Sequence, residues 1–178
     1  MDKPVERLQK GYIQVYTGNG KGKTTAAFGL ALRAVCAGKK VYIGQFIKGM
    51  RYSELDAPKY LPNLVIEQYG RDCFIFNSPT EEDIKLARQG LEKIARIIRS
   101  GEYDMVVMDE VNVAVYYKLF EPADVVEILE TKPEHVEIIL TGRYAPQEFI
   151  DIADLVTEMR EIKHYYQKGV LAREGIEY

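Results

Sequence analysis

Residues Gly18-Asn19-Gly20-Lys21-Gly22-Lys23-Thr24-Thr25 gather three glycines, two lysines and two threonines into one short stretch. Glycines let a backbone fold around an anion with its N–H groups turned inward. A lysine reaches phosphate oxygens as a point charge, and a threonine hydroxyl is a hard oxygen ligand for magnesium. Lys23 and Thr24 stand where those two tasks fall, and Lys23 is the first candidate catalytic residue. The stretch reads as a phosphate-binding loop with one departure from the usual spacing. Five positions before Gly22 stands Thr17, whose β-branched side chain resists positive φ. Thr17 is therefore expected to end a strand, which leaves the loop one residue short and its phosphates placed differently from those of an ordinary ATPase. A glycine-rich turn that binds nothing is the plainer alternative, and the context described below weighs against it.

Asp109-Glu110 is the second chemical element. It follows the apolar run Met105-Val106-Val107-Met108, the pattern of a Walker B strand that brings a carboxylate beside the phosphate loop. Neighbouring residues of a strand point to opposite faces, so one acid faces a metal and the other supports it. Thr141-Gly142-Arg143 closes another apolar run, and Arg143 is placed to clamp a phosphate or a ribose. Lys48 and Glu54 follow a third run, and each reads on its own as a solvated side chain. Phe74 and Phe76 lie in a stretch without helical or strand periodicity, where aromatics serve ligands or anchor the loop. His164 has no visible partner. No Ser/His/Asp or Cys/His set and no His-Arg-Asp catalytic loop stand out.

The elements that must position these residues follow from pattern. Residues 12–16 read as a buried strand, 23–37 as a small-residue helix ended by Gly38, and 41–47 as a second strand. This β-α-β order implies a right-handed crossover and a parallel sheet. Residues 64–69 form a strand. Thr80-Glu81-Glu82-Asp83 starts a helix that runs to about residue 99, with Ile84, Ala87, Leu91, Ile94, Ala95 and Ile98 inward and Gly101 as its stop. Residues 103–109, 137–141 and 155–159 are further strands; 122–131 and 146–153 are helices. The expected fold is α/β, a doubly wound P-loop NTPase-like sheet of five or six mostly parallel strands.

The chain has 178 residues, enough for one nucleotide-binding domain with a sizeable core, with residues 1–10 as a polar arm. A net charge of −3 argues against a basic nucleic-acid footprint. No apolar run approaches a membrane span, and the polar start is no secretory signal. Cys36 and Cys73 lack ligand-like spacing, Cys36 reads as core filler, and a reducing cytoplasm is the expected compartment.

Several stretches together resemble one family, the ATP:corrinoid adenosyltransferases. They are residues 17–29, Gln45-Phe46-Ile47-Lys48-Gly49, Met108-Asp109-Glu110, Thr141-Gly142-Arg143, residues 153–159, Ile162-Lys163-His164 and the ending Gly175-Ile176-Glu177-Tyr178. They occur in the family's order and cover nearly the whole chain, and the short phosphate loop is a feature of the family. The resemblance implies that residues 18–25 hold the triphosphate of ATP. It implies that Thr24 and Glu110 hold Mg2+ with Asp109 in support, and that Arg143 lies near the nucleotide. It places Phe74 and Phe76 against the corrin below cobalt. It further implies a homodimer in which the N-terminal arm reaches a partner's site, and an electron donor such as a flavoprotein. The implied reaction is attack of Co(I) on C5′ of ATP with loss of tripolyphosphate, in adenosylcobalamin biosynthesis or salvage. No general base is needed for it. Two other readings stay open at this point: a kinase or ATPase acting at the γ-phosphate, and a nucleotide-regulated binding module.

Overall fold

The computed structural model describes residues 7–72 and 78–178. Three apolar runs become strands buried at every position: Val41–Phe46 (β2), Met105–Asp109 (β4) and Glu137–Thr141 (β5). Burial without alternation marks a sheet covered on both sides. With Ile13–Thr17 (β1), Leu64–Tyr69 (β3) and Leu155–Glu158 (β6) they form one six-stranded sheet in the order β3-β2-β4-β5-β1-β6. Every pairing is parallel. The expected doubly wound α/β sheet is present, and Thr17 does end its strand.

The helices are Lys23–Cys36 (α1), Glu81–Ser100 (α2), Val111–Tyr116 (α3), Pro122–Glu130 (α4) and Gln147–Ile152 (α5). Right-handed crossovers sort them by direction of travel along the sheet. From β1 the chain moves toward β3, so α1 and the 3-10 helix Ser53–Lys59 lie on one face. From β3 it moves back toward β6, so α2 to α5 lie on the other. Two apolar layers follow. Val41, Ile43, Met105, Val107 and Ile139 pack with Ala27 and Ala31 of α1. Tyr42, Phe46, Val106, Met108, Ile138 and Leu140 pack with Leu91, Ile94 and Ile98 of α2 and with Val125 and Leu129 of α4. Odd-numbered residues of β2, β4 and β5 therefore face α1, and even-numbered ones face the four-helix side.

Two features depart from the sequence reading. Residues 111–116 form a helix that was not expected, because its one and a half turns of Val, Asn and Ala are too short to show a period. Cys36 is exposed at the end of α1 and free, so it fills no core; Ala27 and Ala31 carry the buried side of that helix. The described start of the N-terminal arm lies at the amino rim of the sheet, where Arg7 Nη1 donates to Gly101 O at 3.0 Å and Gly11 N to Glu134 O at 2.7 Å. Among the described residues, no helix is long and apolar enough to cross a membrane.

Candidate active site

The loop between β1 and α1 takes its form from glycines. Gly18 has φ +96°, and a Cβ there would stand 2.4 Å from the carbonyl oxygen of Met159. Gly22 occupies the N-cap of α1 at φ 121°, with no side-chain cap and no acid in the first turn. The first N–H groups of α1 and the positive end of its dipole are thus left for an anion. Lys23 is buried, and its Nζ reaches back across the loop to Gly18 O at 2.8 Å and Gly20 O at 2.7 Å. Burial lowers its pKa; Glu110 and Asp109 oppose this, and Arg143 adds to it. Asn19 and Thr25 are exposed. Lys21 turns away from the loop interior toward the C-terminal segment.

Strand parity assembles the rest. Gln45, Asp109 and Thr141 are odd-numbered tip residues of β2, β4 and β5, and all are fully buried on the α1 side. Asp109 Oδ1 accepts from Thr24 Oγ1 at 2.8 Å and from Thr141 Oγ1 at 2.7 Å. Its Oδ2 accepts from Lys48 Nζ at 2.8 Å and Gln45 Nε2 at 3.1 Å. Desolvation works to raise the Asp109 pKa, but the Lys48 charge and these hydrogen bonds outweigh it and hold the carboxyl below its ordinary value. Lys48 responds in kind: burial pulls it down, and Asp109 with Glu54 carries it above the usual lysine value. Lys48 is therefore no solvated side chain. It is the charge partner of Asp109, and Glu54 lies 3.8 Å from its Nζ.

Glu110 leaves the strand at φ 60° and occupies the N-cap of α3 without a side-chain cap bond. Its N–H donates to Thr141 Oγ1 at 3.0 Å. Burial first, and the Asp109 charge second, raise its pKa. Asn112 Nδ2 donates to Gly142 O at 2.8 Å, and Ala145 N donates to Thr17 Oγ1 at 3.3 Å. These bonds fix the loop carrying Arg143 between β4 and β1. Arg143 itself is exposed, and its charge reaches both Lys23 and Glu110. Phe74 and Phe76 lie outside the described residues. His164 Nδ1 accepts from Tyr166 N at 3.0 Å, a local turn contact.

The structure thus brings Lys23, Thr24, Asp109, Glu110 and Arg143 to one rim of the sheet. It adds Gln45, Lys48 and Thr141, of which reading by sequence weighed Lys48 toward solvent and gave Gln45 no role. Strand parity puts Gln45 and Thr141 on the face of Asp109, whereas Lys48 lies beyond the end of β2 and no spacing marks it.

The family model for ATP:corrinoid adenosyltransferase BtuR/CobO/CobP matches residues 9–178. The chain belongs to this family. A corrinoid adenosyltransferase of a Sinorhizobium species is 38% identical over 181 residues, covering 96% of this chain and 81% of the relative. The corrinoid adenosyltransferase of Escherichia coli K12 is 38% identical over 171 residues, 96% of this chain and 87% of that one. That of Pseudomonas aeruginosa is 32% identical over 174 residues, with 97% and 86% covered. Membership in this adenosyltransferase family makes the chain an enzyme, a transferase with ATP and a corrinoid as substrates.

Proposed function

We propose that this chain transfers the 5′-deoxyadenosyl group of ATP to Co(I) of a corrinoid and releases tripolyphosphate. A Co–C bond forms at C5′ as the C5′–O bond breaks; the cobalt supplies the electron pair, and the triphosphate oxygen keeps the pair of the broken bond. The observation that carries this reading is the bond from Thr24 to Asp109. It joins a loop built for phosphates to a fully buried carboxylate, in a chain whose family match spans residues 9–178.

The residues divide the work as follows. Lys23 trades the carbonyls of Gly18 and Gly20 for phosphate oxygens. Arg143 adds positive charge beside the leaving group, as the developing negative charge requires. The Thr24 proton is spent on Asp109, which leaves the hydroxyl lone pairs outward, since a hydroxyl has one donor and two acceptor sites. Those lone pairs and the Glu110 carboxylate are hard oxygen donors that suit Mg2+; when bound there, the ion would supply positive charge against the departing triphosphate. Asp109 then orients Thr24 and does not ligate directly. Phe74 and Phe76 are assigned to the lower side of the corrin. The cobalt must arrive as Co(I), so an electron donor such as a flavoprotein is part of the proposal, and a homodimer is its assembly state.

Product analysis tests the reading. Wild-type protein with MgATP and chemically reduced corrinoid should give tripolyphosphate and the spectral change of a new Co–C bond. ADP as the product would instead assign the chain to chemistry at the γ-phosphate and overturn the proposal. Sedimentation of the same preparation as a monomer would remove the homodimer.

A further inference from the structure

The C-terminal segment, residues 159–178, is built onto the phosphate loop. Gly20 N donates to Met159 O at 2.7 Å, and a Cβ on Gly20 would meet the Arg160 backbone at 2.8 Å. The loop backbone therefore lies flat on the chain that leaves β6. At the apex of the loop, Lys21 Nζ donates to Glu177 Oε1 at 2.7 Å, to Tyr165 OH at 3.0 Å and to Ile176 O at 3.0 Å. An ammonium has three protons, and all three are used. Glu177 is as fully engaged: it also accepts from the Tyr165 hydroxyl, from Arg173 N at 2.8 Å and from the Arg173 guanidinium at 3.3 Å. Its side chain is only 16% exposed, although its neighbours at the chain end are largely in solvent. Beyond it, Tyr178 O accepts from Ser53 Oγ at 3.0 Å. The segment thus runs from β6 at the sheet edge to the 3-10 helix that follows β2, and the tips of β1, β5 and β4 lie between.

We infer that the C-terminal segment is a wall of the nucleotide site and that Glu177 is a positioning residue for the triphosphate, acting through Lys21. A glycine loop has few side chains to pack, so its shape must be imposed from outside. Glu177 and Tyr165 hold the apex from beyond the loop, and Met159 holds its middle. The same clasp decides which lysine meets the phosphates. Lys21 is saturated by the segment, whereas among the described residues Lys23 is hydrogen-bonded only to loop carbonyls that an arriving anion replaces. Preorganisation of this kind lowers the ordering cost of binding. The inference rests on the reading that this loop holds ATP.

The test uses the full chain and MgATP. Glu177→Gln should raise Kd and KM for ATP about three- to tenfold, the range for a charge-assisted bond that is partly screened. It should leave kcat with reduced corrinoid within about twofold, since Glu177 touches no reacting atom. Glu177→Asp, which keeps the charge, should recover most of the affinity. In the wild type, saturating MgATP should slow tryptic cleavage after Lys168 and Arg173, a readout that does not depend on how a variant folds. Unchanged ATP affinity in Glu177→Gln, or equal loss in the Gln and Asp variants with a fall in Tm, would overturn the positioning role. So would cleavage indifferent to MgATP. A wild type that binds no MgATP at all would fail earlier, at the assignment of the loop.

Discussion

Asp109 is a carboxylate without access to water, surrounded by two hydroxyls, an amide and an ammonium. Its charge survives burial because Lys48 stands against it, and removing one member of such a pair leaves the other exposed to the full desolvation penalty. Lys48→Met should therefore cost about 2–4 kcal/mol of stability, read from urea unfolding at neutral pH; a loss within error would show that Gln45 and the hydroxyls hold the charge alone. Lys23→Ala tests the opposite case, a side chain whose hydrogen-bond partners among the described residues are the loop's own carbonyls. Folding should survive, while ATP affinity should fall about ten- to hundredfold, the worth of a hydrogen bond to a charged group. Turnover at low ATP equal to wild type would dismiss Lys23 from the site. At this scale the sequence was readable where the motif is local. Lys23 and Thr24 announce themselves by their neighbours, whereas Gln45 and Lys48 act across strands and carry no local mark. The roles of Phe74 and Phe76 rest on the resemblance alone.

Among the elements, α2 shows how a boundary is fixed by chemistry that reading could see. Thr80 and Asp83 form a reciprocal capping box, as the run of acids after Thr80 announced. Hidden from reading was Arg71, which binds both carboxylate oxygens of Asp83 at 2.6 and 2.8 Å. That bond first, with the Thr80 contacts and against burial, lowers the Asp83 pKa to about 2. The folded pKa lies below the ordinary aspartate value of about 3.9, so the stabilisation is present above that value and is lost as pH falls toward 2. Asp83→Asn should lower stability by about 1–2 kcal/mol at pH 7, after allowance for the partly exposed Arg71. The difference from wild type should shrink steadily below about pH 4. Thermal melts of both proteins from pH 7 to pH 2.5 check this, and a gap that stays constant would refute the pairing. The helix α3 was illegible for the reverse reason: six residues offer no period, and its N-cap, Glu110, makes no side-chain cap bond.

For the molecule as a whole, the order of strands was not legible, although their number and direction were. Apolar runs name strands, but which runs lie together depends on crossovers whose hand is fixed and whose length is not. The resulting order puts β4 and β5 at the centre and β6 at an edge, with all four β6 residues exposed. Local opening should follow that gradient. In hydrogen exchange, amides of Met105–Asp109 and Glu137–Thr141 should be the slowest in the protein and those of Leu155–Glu158 the fastest among its strands. Equal protection would mean that β6 is covered in solution.

The odd and even sides of the strands also set how the gene can tolerate change in length. Adding or deleting one codon within residues 105–108 would rotate Asp109 by half a turn of the pleat, out of reach of Thr24 and into the layer of Phe46 and Phe120. A buried acid would then stand unpaired among aromatic rings. Two codons would restore the facing but carry the carboxylate past the rim. Drift in length is thus barred from β4, and at the opposite rim the buried Asp104 and Glu137, which accept from Lys40 N and from Tyr12 N, set the same kind of limit at the starts of β4 and β5.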